Sequence, residues 1–391
     1  MIINSINNLA CCGCGVCVKK CPTDTLKLEK DKDGFLTVSV NEEKCINCGL
    51  CDKVCPMICN SMHEESREVY AANWKDREKL KASSSGGAFG AFATEVLKNS
   101  GIVYGAAWKD SFSVEHIGIA NINQLHLLQG SKYIQSNAFI VFSDIKKKLD
   151  DNIQVLFSGT PCQVMALRNY LKRDYSNLLL IDIVCHGVGN QTMLLKDIDY
   201  LEKKYKKKVK KISFRSKRRG WGTSGLINFS DGVIDYNITN SPYYYFFLNA
   251  SIFRESCYRC PFANGQRVSD ITIGDYWGIE NAIQNSSLTS SDGVSCIIIN
   301  TRVGSDFFEK VHSQFNLEKT TFKMIQMRNG QLVSPSKKSS DAEKVLELYR
   351  KGGADLVKYW KRISASRRIM FSLKELIPET IKKKIKRLFA K

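Results

Sequence analysis

The cysteines near the amino end of this chain follow a repeated spacing that suits metal ligation. Ten of the 15 cysteines lie between Cys11 and Cys59. Eight of them form two copies of Cys-x2-Cys-x2-Cys-x3-Cys-Pro, namely Cys11, Cys14, Cys17 and Cys21, then Cys45, Cys48, Cys51 and Cys55. In this pattern three thiolates on one loop bind one [4Fe-4S] cluster, and the fourth, just before proline, reaches the other cluster. The spacing predicts two clusters, the first bound by Cys11, Cys14, Cys17 and Cys55 and the second by Cys45, Cys48, Cys51 and Cys21.

The alternative for these eight cysteines is a pair of structural zinc sites. Such sites usually use two Cys-x-x-Cys pairs rather than eight thiols that end in Cys-Pro, so the cluster interpretation is favoured. A disulfide framework fits less well, because the thiols of cytosolic proteins stay reduced. Cys12 and Cys59 fall outside the pattern and are interpreted as bystanders in the loops.

Four later cysteines could complete a third [4Fe-4S] site. Cys162 lies at a predicted strand-to-helix turn, where the helix dipole attracts an anionic cluster. Cys185 follows a predicted buried strand, and Cys257 and Cys260 form a Cys-x-x-Cys pair. Isolated buried cysteines otherwise behave as small apolar residues, which is the alternative for the first two. The pair favours a cluster bound by all four, whereas Cys296 is expected in the core.

Two short polar turns could hold the phosphate of a cofactor. The run Ser83–Gly87 leads into a predicted helix, so hydroxyls, amides and a helix dipole meet there, as a flavin phosphate requires. The run Gln129–Tyr133 adds a lysine to a second turn. The residues predicted to bind a cofactor are Ser84, Ser85, Gly86, Gly87, Ser131, Lys132 and Tyr133. Runs of serine and glycine are also ordinary linkers, which is the alternative for both turns.

The elements that must position these residues follow from the hydrophobic pattern. Alternating residues at Thr25–Leu28 and Phe35–Val40 predict a hairpin. Beyond residue 83, strand and helix patterns alternate, which predicts a mixed α/β sheet. The predicted strands are Gly101–Trp108, Ser113–Ala120, Ile153–Phe157 and Leu178–Val184. The predicted helices are Ala88–Lys98, Gln163–Lys172 and Thr192–Lys204.

The positive charge of the chain is local. The 391 residues carry a net charge of +19. Residues 203–219 and residues 361–391 each contain eleven lysines and arginines and together supply this charge, so the rest of the chain is nearly neutral. The first segment reads either as a solvated helix end or as a docking patch for an acidic partner. In the second, residues 381–389 place apolar side chains on one helical face among lysines. This pattern is interpreted equally as a helix that lies on an anionic membrane or as a frayed basic tail.

The motifs together resemble the coenzyme F420 hydrogenase/dehydrogenase beta-subunit family, with a ferredoxin module fused in front. The resemblance rests on Ser84–Gly87, Gly130–Tyr133, Gly159–Gln163, Cys185–Gly187 and the Cys257 to Cys260 segment with Gly274–Trp277. It implies a flavin, expected to be FAD, which receives electrons from a nearby cluster and exchanges a hydride with a substrate or a deazaflavin. His186 is a candidate proton donor near the flavin, and a structural role beside the cluster loop is its alternative.

These observations predict an α+β ferredoxin-like dicluster module followed by a mixed α/β flavin-binding domain and a basic helical C-terminal tail. The expected boundaries are 1–62 for the 2[4Fe-4S] ferredoxin domain, 63–82 for a linker, 83–335 for the beta-subunit-like domain and 336–391 for the tail. Within the third unit, the N-terminal part covers about 83–150 and the C-terminal part about 151–335.

The predicted function is an iron-sulfur flavoprotein oxidoreductase that passes electrons from reduced ferredoxin or coenzyme F420 to FAD and on to a small-molecule or glycan-precursor substrate, as in surface-polysaccharide synthesis. A relay beta subunit of a larger complex, and an interaction protein with structural clusters, are the alternatives. The start of the chain lacks a secretory pattern and no apolar run could span a bilayer, so a cytoplasmic location is expected, at the inner face of the membrane if the tail binds there. No nucleic-acid partner is expected, because no nucleic-acid motif accompanies the basic segments.

Overall fold

The computed structural model describes residues 11–62, 68–283, 286–288 and 290–376. Its strands are β1 (Leu26–Lys30), β2 (Leu36–Val40), β3 (Glu68–Trp74), β4 (Ile102–Lys109), β5 (Ser113–Ile119), β6 (Val155–Gly159), β7 (Leu178–Ile183), β8 (Val209–Ser213), β9 (Gly225–Phe229), β10 (Gly232–Tyr236), β11 (Ile271–Asp275), β12 (Ser295–Ile299) and β13 (Phe315–Lys319). Its α-helices are α1 (Val16–Lys20), α2 (Leu50–Val54), α3 (Arg77–Ala82), α4 (Ala88–Lys98), α5 (Leu125–Leu128), α6 (Phe142–Asp150), α7 (Pro161–Leu171), α8 (Gln191–Tyr205), α9 (Pro242–Leu248), α10 (Ile279–Ala282), α11 (Arg302–Val311), α12 (Phe322–Gln326), α13 (Ala342–Lys351), α14 (Ala354–Ile363) and α15 (Ala365–Leu376).

The amino-terminal module repeats one unit twice, as the cysteine spacing predicts. Each cysteine loop ends at a glycine with positive φ, Gly15 at 72° and Gly49 at 68°, and these glycines cap α1 and α2. Only glycine adopts this backbone conformation without strain. The hairpin predicted between the loops is present, since β1 and β2 pair antiparallel from Leu26 opposite Val40. The module is therefore ferredoxin-like.

The large domain is built on an eight-stranded mixed sheet. The strand order is β13-β3-β12-β11-β7-β6-β4-β5. The four central strands β11, β7, β6 and β4 run parallel, while the neighbours at both ends are antiparallel. Helices cover both faces, as expected for parallel strands buried on both sides. The predicted mixed α/β sheet is confirmed, and the carboxyl ends of its parallel strands point to one edge.

Part of the predicted linker belongs to this sheet. Residues 68–74 form β3, which pairs with β12 on one side and β13 on the other. Ala71 and Ala72 are fully buried there. The linker prediction was therefore wrong for 68–82, which form β3 and α3. The partners of β3 lie more than 200 residues away in the chain, so no local pattern indicated the pairing.

The described part of the predicted basic tail contains three helices, α13, α14 and α15, and the first two are part of the core. A second, three-stranded sheet, β10-β9-β8, packs with α8 and α9, and α13 and α14 cover this cluster. Val345 and Trp360 are fully buried in it. Residues 342–363 thus form a packed cap rather than a free tail. The amphipathic helix predicted at 381–389 lies outside the described residues. Along the described chain, no helix combines the length and the apolar character that crossing a bilayer demands.

The ferredoxin-like module docks directly on the sheet domain. Val16 of α1 and Val54 of α2 pack into the same buried cluster as Val164 of α7. The Asn169 side-chain amide donates to the backbone carbonyls of Val54, at 3.2 Å, and Cys59, at 2.9 Å. The module is therefore held against α7, the helix that carries Cys162.

Candidate redox site

A large cavity opens at the carboxyl ends of three parallel strands. Its volume is about 680 Å³. Residues at or beyond the ends of β6, β7 and β11 line it, including Gly159, Cys185 and Asp275. Ligands of open α/β sheets bind at this edge, because loops from neighbouring strands meet there. The fold therefore gathers the sequence motifs of three distant segments around one space.

A second, smaller cavity gathers the four cysteines of the predicted third cluster. Its volume is about 50 Å³, and Cys162, Cys185, Cys257 and Cys260 all line it. Burial and the nearby thiols raise the pKa of Cys257 to about 12 and the pKa of Cys260 to about 11. Burial and the same thiols also raise the pKa of Cys185. Such thiols ionise readily only beside a cation, and iron supplies one.

Three different elements bring these cysteines together. Cys162 is the second residue of α7, Cys185 follows β7 by two residues, and Cys257 lies in a 3-10 helix at Glu255–Arg259. The described residues contain no group of three or more His, Cys, Asp or Glu side chains that could hold a single metal ion. Each thiolate ligand of a [4Fe-4S] cluster binds a different iron atom, so the ligands need not converge on one point. The absence of a single-ion site among the described residues therefore does not argue against a cluster. A buried set of four thiols fits the donor chemistry of a cluster.

The cysteine loops of the amino-terminal module form a neighbouring group. Burial and the nearby Cys11 and Cys55 thiols raise the pKa of Cys17 to about 12. Cys11 and Cys55 come from different copies of the repeat, as the crossed ligand assignment requires. Of the other predicted set, Cys45, Cys48 and Cys51 lie around the start of α2 and Cys21 follows α1, with Cys48 exposed.

Cys12 lies between these two groups of thiols. Its side chain is within hydrogen-bonding reach of Cys14 in one group and of Cys162 in the other. The interpretation of Cys12 as a bystander rather than a ligand stays a prediction, and the structure places its thiol beside both groups. The only indication of this location in the sequence is that Cys12 directly follows the predicted ligand Cys11. Cys59, the other cysteine outside the pattern, contacts the carbonyl of Asp52 at 3.5 Å, and Cys296 is buried in the core, as expected.

The predicted serine turn lines the large cavity and is held from several sides. The Ser84 hydroxyl accepts a hydrogen bond from the Ser131 amide at 3.0 Å, which joins the two predicted phosphate turns. Ser85 donates to the Val294 carbonyl at 3.0 Å. Gly87 has φ 84° and begins α4, whose first residues also line the cavity. The first amides of a helix have no intrahelical acceptor, so this end of α4 can bind an anion.

Gly86 is required by close packing of the backbone. A Cβ atom at this position would lie 2.1 Å from the Ala72 carbonyl oxygen and 2.3 Å from the Ser295 amide nitrogen. Both neighbours belong to sheet strands, which cannot move aside cheaply. The turn is therefore seated directly on β3 and β12.

Lys132 lines the large cavity and is held by backbone carbonyls. Its ammonium donates to the carbonyls of Leu127, Leu128 and Gln129 at 3.3, 2.9 and 2.8 Å. A lysine has three donors, and all three are used at the end of α5. Burial lowers its pKa to about 7. Lys132 therefore caps α5 at the cavity wall, and its role in binding a phosphate stays a prediction.

Two basic residues that the sequence assigned to a surface segment instead support the serine turn. Arg215 has a side chain only 4% exposed and pairs with Asp275 at 2.8 Å. It also donates to the Ser84 carbonyl at 3.2 Å, and Lys217 donates to the Ser85 carbonyl at 2.7 Å. By contrast, the exposed Lys203 and Lys208 form ion pairs with nearby acids, as a solvated helix end does.

Aromatic residues form part of the cavity wall. Tyr133 stacks on Phe247 with ring centroids 4.6 Å apart. Trp277 stacks on Trp221 at 4.5 Å, and the Trp221 indole donates to Asp275 at 3.0 Å. Of these, only Tyr133 was predicted as a site residue. Flat walls of this kind suit an aromatic ring system.

Unsatisfied polar atoms in the wall fit a polar cofactor. His116 Nδ1 and Arg215 Nε are buried without a hydrogen-bond partner among the described residues, and both residues line the large cavity. His116 Nε2 lies 3.0 Å from the Ser158 carbonyl, and burial lowers the pKa of His116 to about 4. With a volume in the range of cofactor pockets, the cavity fits a flavin in size and chemistry.

His186 lines both cavities, so it stands between the four thiols and the large space. Burial lowers the pKa of His186, which favours its neutral form. Its backbone carbonyl accepts a hydrogen bond from the Ser336 hydroxyl at 2.6 Å. The position suits a residue that separates two redox centres, and its proton-donor role stays a prediction.

Comparison with known proteins agrees with the two modules. Residues 153–324 match the family described as the C terminus of the coenzyme F420 hydrogenase/dehydrogenase beta subunit. Residues 10–59 match the family described as 4Fe-4S dicluster domain. A solved chain of the F420-reducing [NiFe] hydrogenase complex from Methanosarcina barkeri is 14% identical, with 78% of this chain and 93% of that chain covered and a TM-score of 0.46. No curated protein matches this chain.

The two family matches cover all twelve predicted cluster ligands and the cavity loops after β6, β7 and β11, whereas the turns at 83–87 and 129–133 lie outside them. The chain is therefore an iron-sulfur electron-transfer protein whose residues 153–324 are related to the C terminus of the coenzyme F420 hydrogenase/dehydrogenase beta subunit and whose residues 10–59 match a 4Fe-4S dicluster domain.

Proposed function

We propose that this protein is a flavin-dependent oxidoreductase with three [4Fe-4S] clusters, which carries electrons from ferredoxin or coenzyme F420 to a substrate in the large cavity. The observation that carries the proposal is the contact of the two cavities. Cys162, Cys185 and His186 line both, so a cluster at the four thiols and a flavin in the large cavity are neighbours. Clusters pass single electrons, and a flavin can combine two of them into a hydride.

The residues of this chain supply binding and exclusion of water. Cys162, Cys185, Cys257 and Cys260 would hold the third cluster, and the turn at 84–87 with the start of α4 would hold the flavin phosphate. Arg215 and Lys217 keep that turn in place through its carbonyls. The stacked aromatic walls would orient the flavin ring and keep solvent from it. Lys132 fixes the second turn, while the Ser84 hydroxyl and the helix amides would donate to the phosphate and Ser85 would anchor the turn through the Val294 carbonyl.

Iron and flavin analysis of anaerobically purified protein tests this proposal. The full chain should hold about twelve irons, four for each of three clusters, and about one flavin. The double variant Cys257→Ser/Cys260→Ser should lose about four irons and keep the other eight. Cys59→Ser is the matched control, because Cys59 is a module cysteine outside both ligand sets, and it should keep all twelve. A full chain with about eight irons and no flavin would contradict the proposal.

A relay subunit without its own substrate is the second candidate, since the matched family is described as a beta subunit. The large cavity favours the enzyme, because a relay needs no open space beside its flavin. The candidates separate when reduced protein is mixed with candidate acceptors, glycan precursors among them. Reoxidation by a small molecule supports the enzyme, whereas reoxidation only by a partner protein supports the relay.

The described end of the chain is compatible with contact to an anionic membrane. On α15, Ile369, Met370 and Leu373 are each more than half exposed, and basic residues follow in the sequence. Such a helix can lie on the inner face of a membrane with its apolar side down. Cosedimentation with vesicles that contain anionic lipid, but not with neutral vesicles, tests the contact. Equal recovery with both kinds of vesicle would contradict it.

A further inference from the structure

Arg254 lies buried at the junction of the two groups of cysteines. The residue is 3% exposed and lines the small cavity together with Cys162 and Cys257. Its Nε donates to the backbone carbonyl of Cys11 at 2.5 Å, in the first cysteine loop of the ferredoxin-like module. Its own carbonyl accepts from the Cys257 amide at 2.9 Å. One residue thus touches the backbone of both predicted cluster sites.

Among the described residues, no acidic side chain forms an ion pair with this guanidinium. Its other contacts within the described residues are the Gln135 side-chain oxygen at 3.5 Å and the Phe35 ring at 5.7 Å, and both are uncharged. A buried ion without a counter-charge destabilises the folded protein. An anion beside it would remove most of that cost. A cluster bound by four thiolates is such an anion.

The guanidinium lies beside the predicted ligands of the third site. Arg254 lines the small cavity together with Cys162 and Cys257, so its charge is next to two of the four thiols. A cation in this position stabilises the extra negative charge that a cluster gains on reduction.

We propose that Arg254 is the buried cation that raises the reduction potential of the third site and thereby directs electrons from the ferredoxin-like module to the sheet domain. This inference rests on the proposed function. In the transfer, one electron leaves the site of Cys11, Cys14, Cys17 and Cys55, which is oxidised by one, and enters the site of Cys162, Cys185, Cys257 and Cys260, which is reduced by one. No bond forms and no proton moves. Nearby charge and hydrogen bonds are among the factors that set cluster potentials.

The two sites are close enough for this arrangement to matter. Cys12 is within hydrogen-bonding reach of Cys14 on one side and Cys162 on the other. A single side chain therefore spans the gap between the predicted ligand sets. Arg254 lies at this junction and lines the small cavity, so a change in its charge would alter the reduction potential of the third site, which accepts the electron.

Redox titration of the full chain, monitored by electron paramagnetic resonance, tests the role of Arg254. The variant Arg254→Gln should keep about twelve irons, while the equilibrium constant for reduction of the third site should fall at least tenfold, or about 59 mV for one electron. Arg254→Lys keeps the charge and should stay within about threefold of the parent. The matched control is Arg259→Gln, which removes a 64% exposed arginine at the end of the 3-10 helix that Arg254 precedes and should leave the potential unchanged.

The outcomes separate this inference from the proposed function. About eight irons in the parent protein would overturn the third cluster and the role of Arg254 together. Twelve irons in the parent and in Arg254→Gln, with equal potentials, would overturn the role of Arg254 alone. If Arg254→Gln loses the third cluster, Arg254→Lys decides the question. Restored iron at the parental potential supports the charge effect, and failure to restore iron overturns it.

Discussion

The ion pair between Arg267 and Asp182 allows a quantitative test of how the fold holds the third site. Arg267 Nη2 lies 2.9 Å from Asp182 Oδ2, with the two side chains 2% and 0% exposed. Arg267 also donates to the Phe262 carbonyl at 3.2 Å, two residues after Cys260. Asp182 is in β7, three residues before Cys185. The pair therefore ties the Cys260 loop to the strand that leads to Cys185.

Removal of one partner should be far more costly than removal of both. The variant Arg267→Met leaves the Asp182 carboxylate buried and uncompensated, which typically costs about 3–5 kcal/mol of unfolding free energy. A buried pair replaced by apolar residues is often neutral. The double variant Arg267→Met/Asp182→Leu should therefore recover at least about half of the loss. Arg302→Met, which breaks an exposed ion pair with Asp306, is the control and should cost under about 1 kcal/mol.

Anaerobic guanidinium denaturation, monitored by tryptophan fluorescence, measures these differences, and iron analysis of the same samples measures the site. Arg267→Met should lose up to about four irons, since the loop after Cys260 loses its anchor. The double variant should be more stable than Arg267→Met but regain less iron, because the hydrogen bond to Phe262 is still missing. The reasoning is refuted if Arg267→Met is no less stable than the Arg302→Met control, or if the double variant is less stable than Arg267→Met.

Three further predictions address the cavity, its histidine and the carboxyl-terminal cap. Gly86→Ala should lower the free energy of unfolding by about 1–3 kcal/mol and abolish flavin binding, because its Cβ would collide with two strands. The control Gly222→Ala, with no atom near its Cβ, should bind flavin as the parent does. Fluorescence of the released flavin measures binding in both variants. Burial lowers the pKa of His116 from 6.5 to about 4, so only the unfolded state gains a proton as the pH falls from 7 to 5.5. The free energy of unfolding of the parent should therefore fall by about 1 kcal/mol over this range. In His116→Phe, the decrease measured by the same denaturation curves should be smaller by that amount. Trp360→Ala should lower the free energy of unfolding by about 3–5 kcal/mol, because it leaves a cavity in the core. Thermal denaturation measures this effect, and a melting temperature equal to that of the parent would contradict the packed cap.

Much of the candidate site could be predicted from the sequence because its signals are local. The spacing of the first eight predicted ligands follows from the reach of one short loop around a cluster, so it is visible without a fold. The pair Cys257 and Cys260 is local in the same sense, as is the strand-turn-helix pattern that ends at Cys162. The helix at Ala88–Lys98 was predicted with its observed boundaries, since a glycine and the hydrophobic period mark its ends.

The residues that sequence reasoning missed act through contacts between distant segments. Arg215 reads as one more basic residue in a charged run, yet it lies at the cavity wall, paired with Asp275. Lys132 reads as a phosphate ligand, yet three carbonyls take its donors. Cys12 reads as a bystander, because only docking of the module on α7 brings it to Cys162. A sequence shows which groups are present but not which charges become buried together.

The sequence by itself determined the chemistry of this protein, since thiol spacing and glycine positions are properties of the chain within a few residues. The tertiary structure decided how these chemical groups are connected. Pairing of β3 with strands more than 200 residues away placed the serine turn, and the docked module placed Arg254 and Cys12 between two sets of thiols. The physical reason is that burial and electrostatic coupling depend on distance in space, which the order of residues along the chain does not contain.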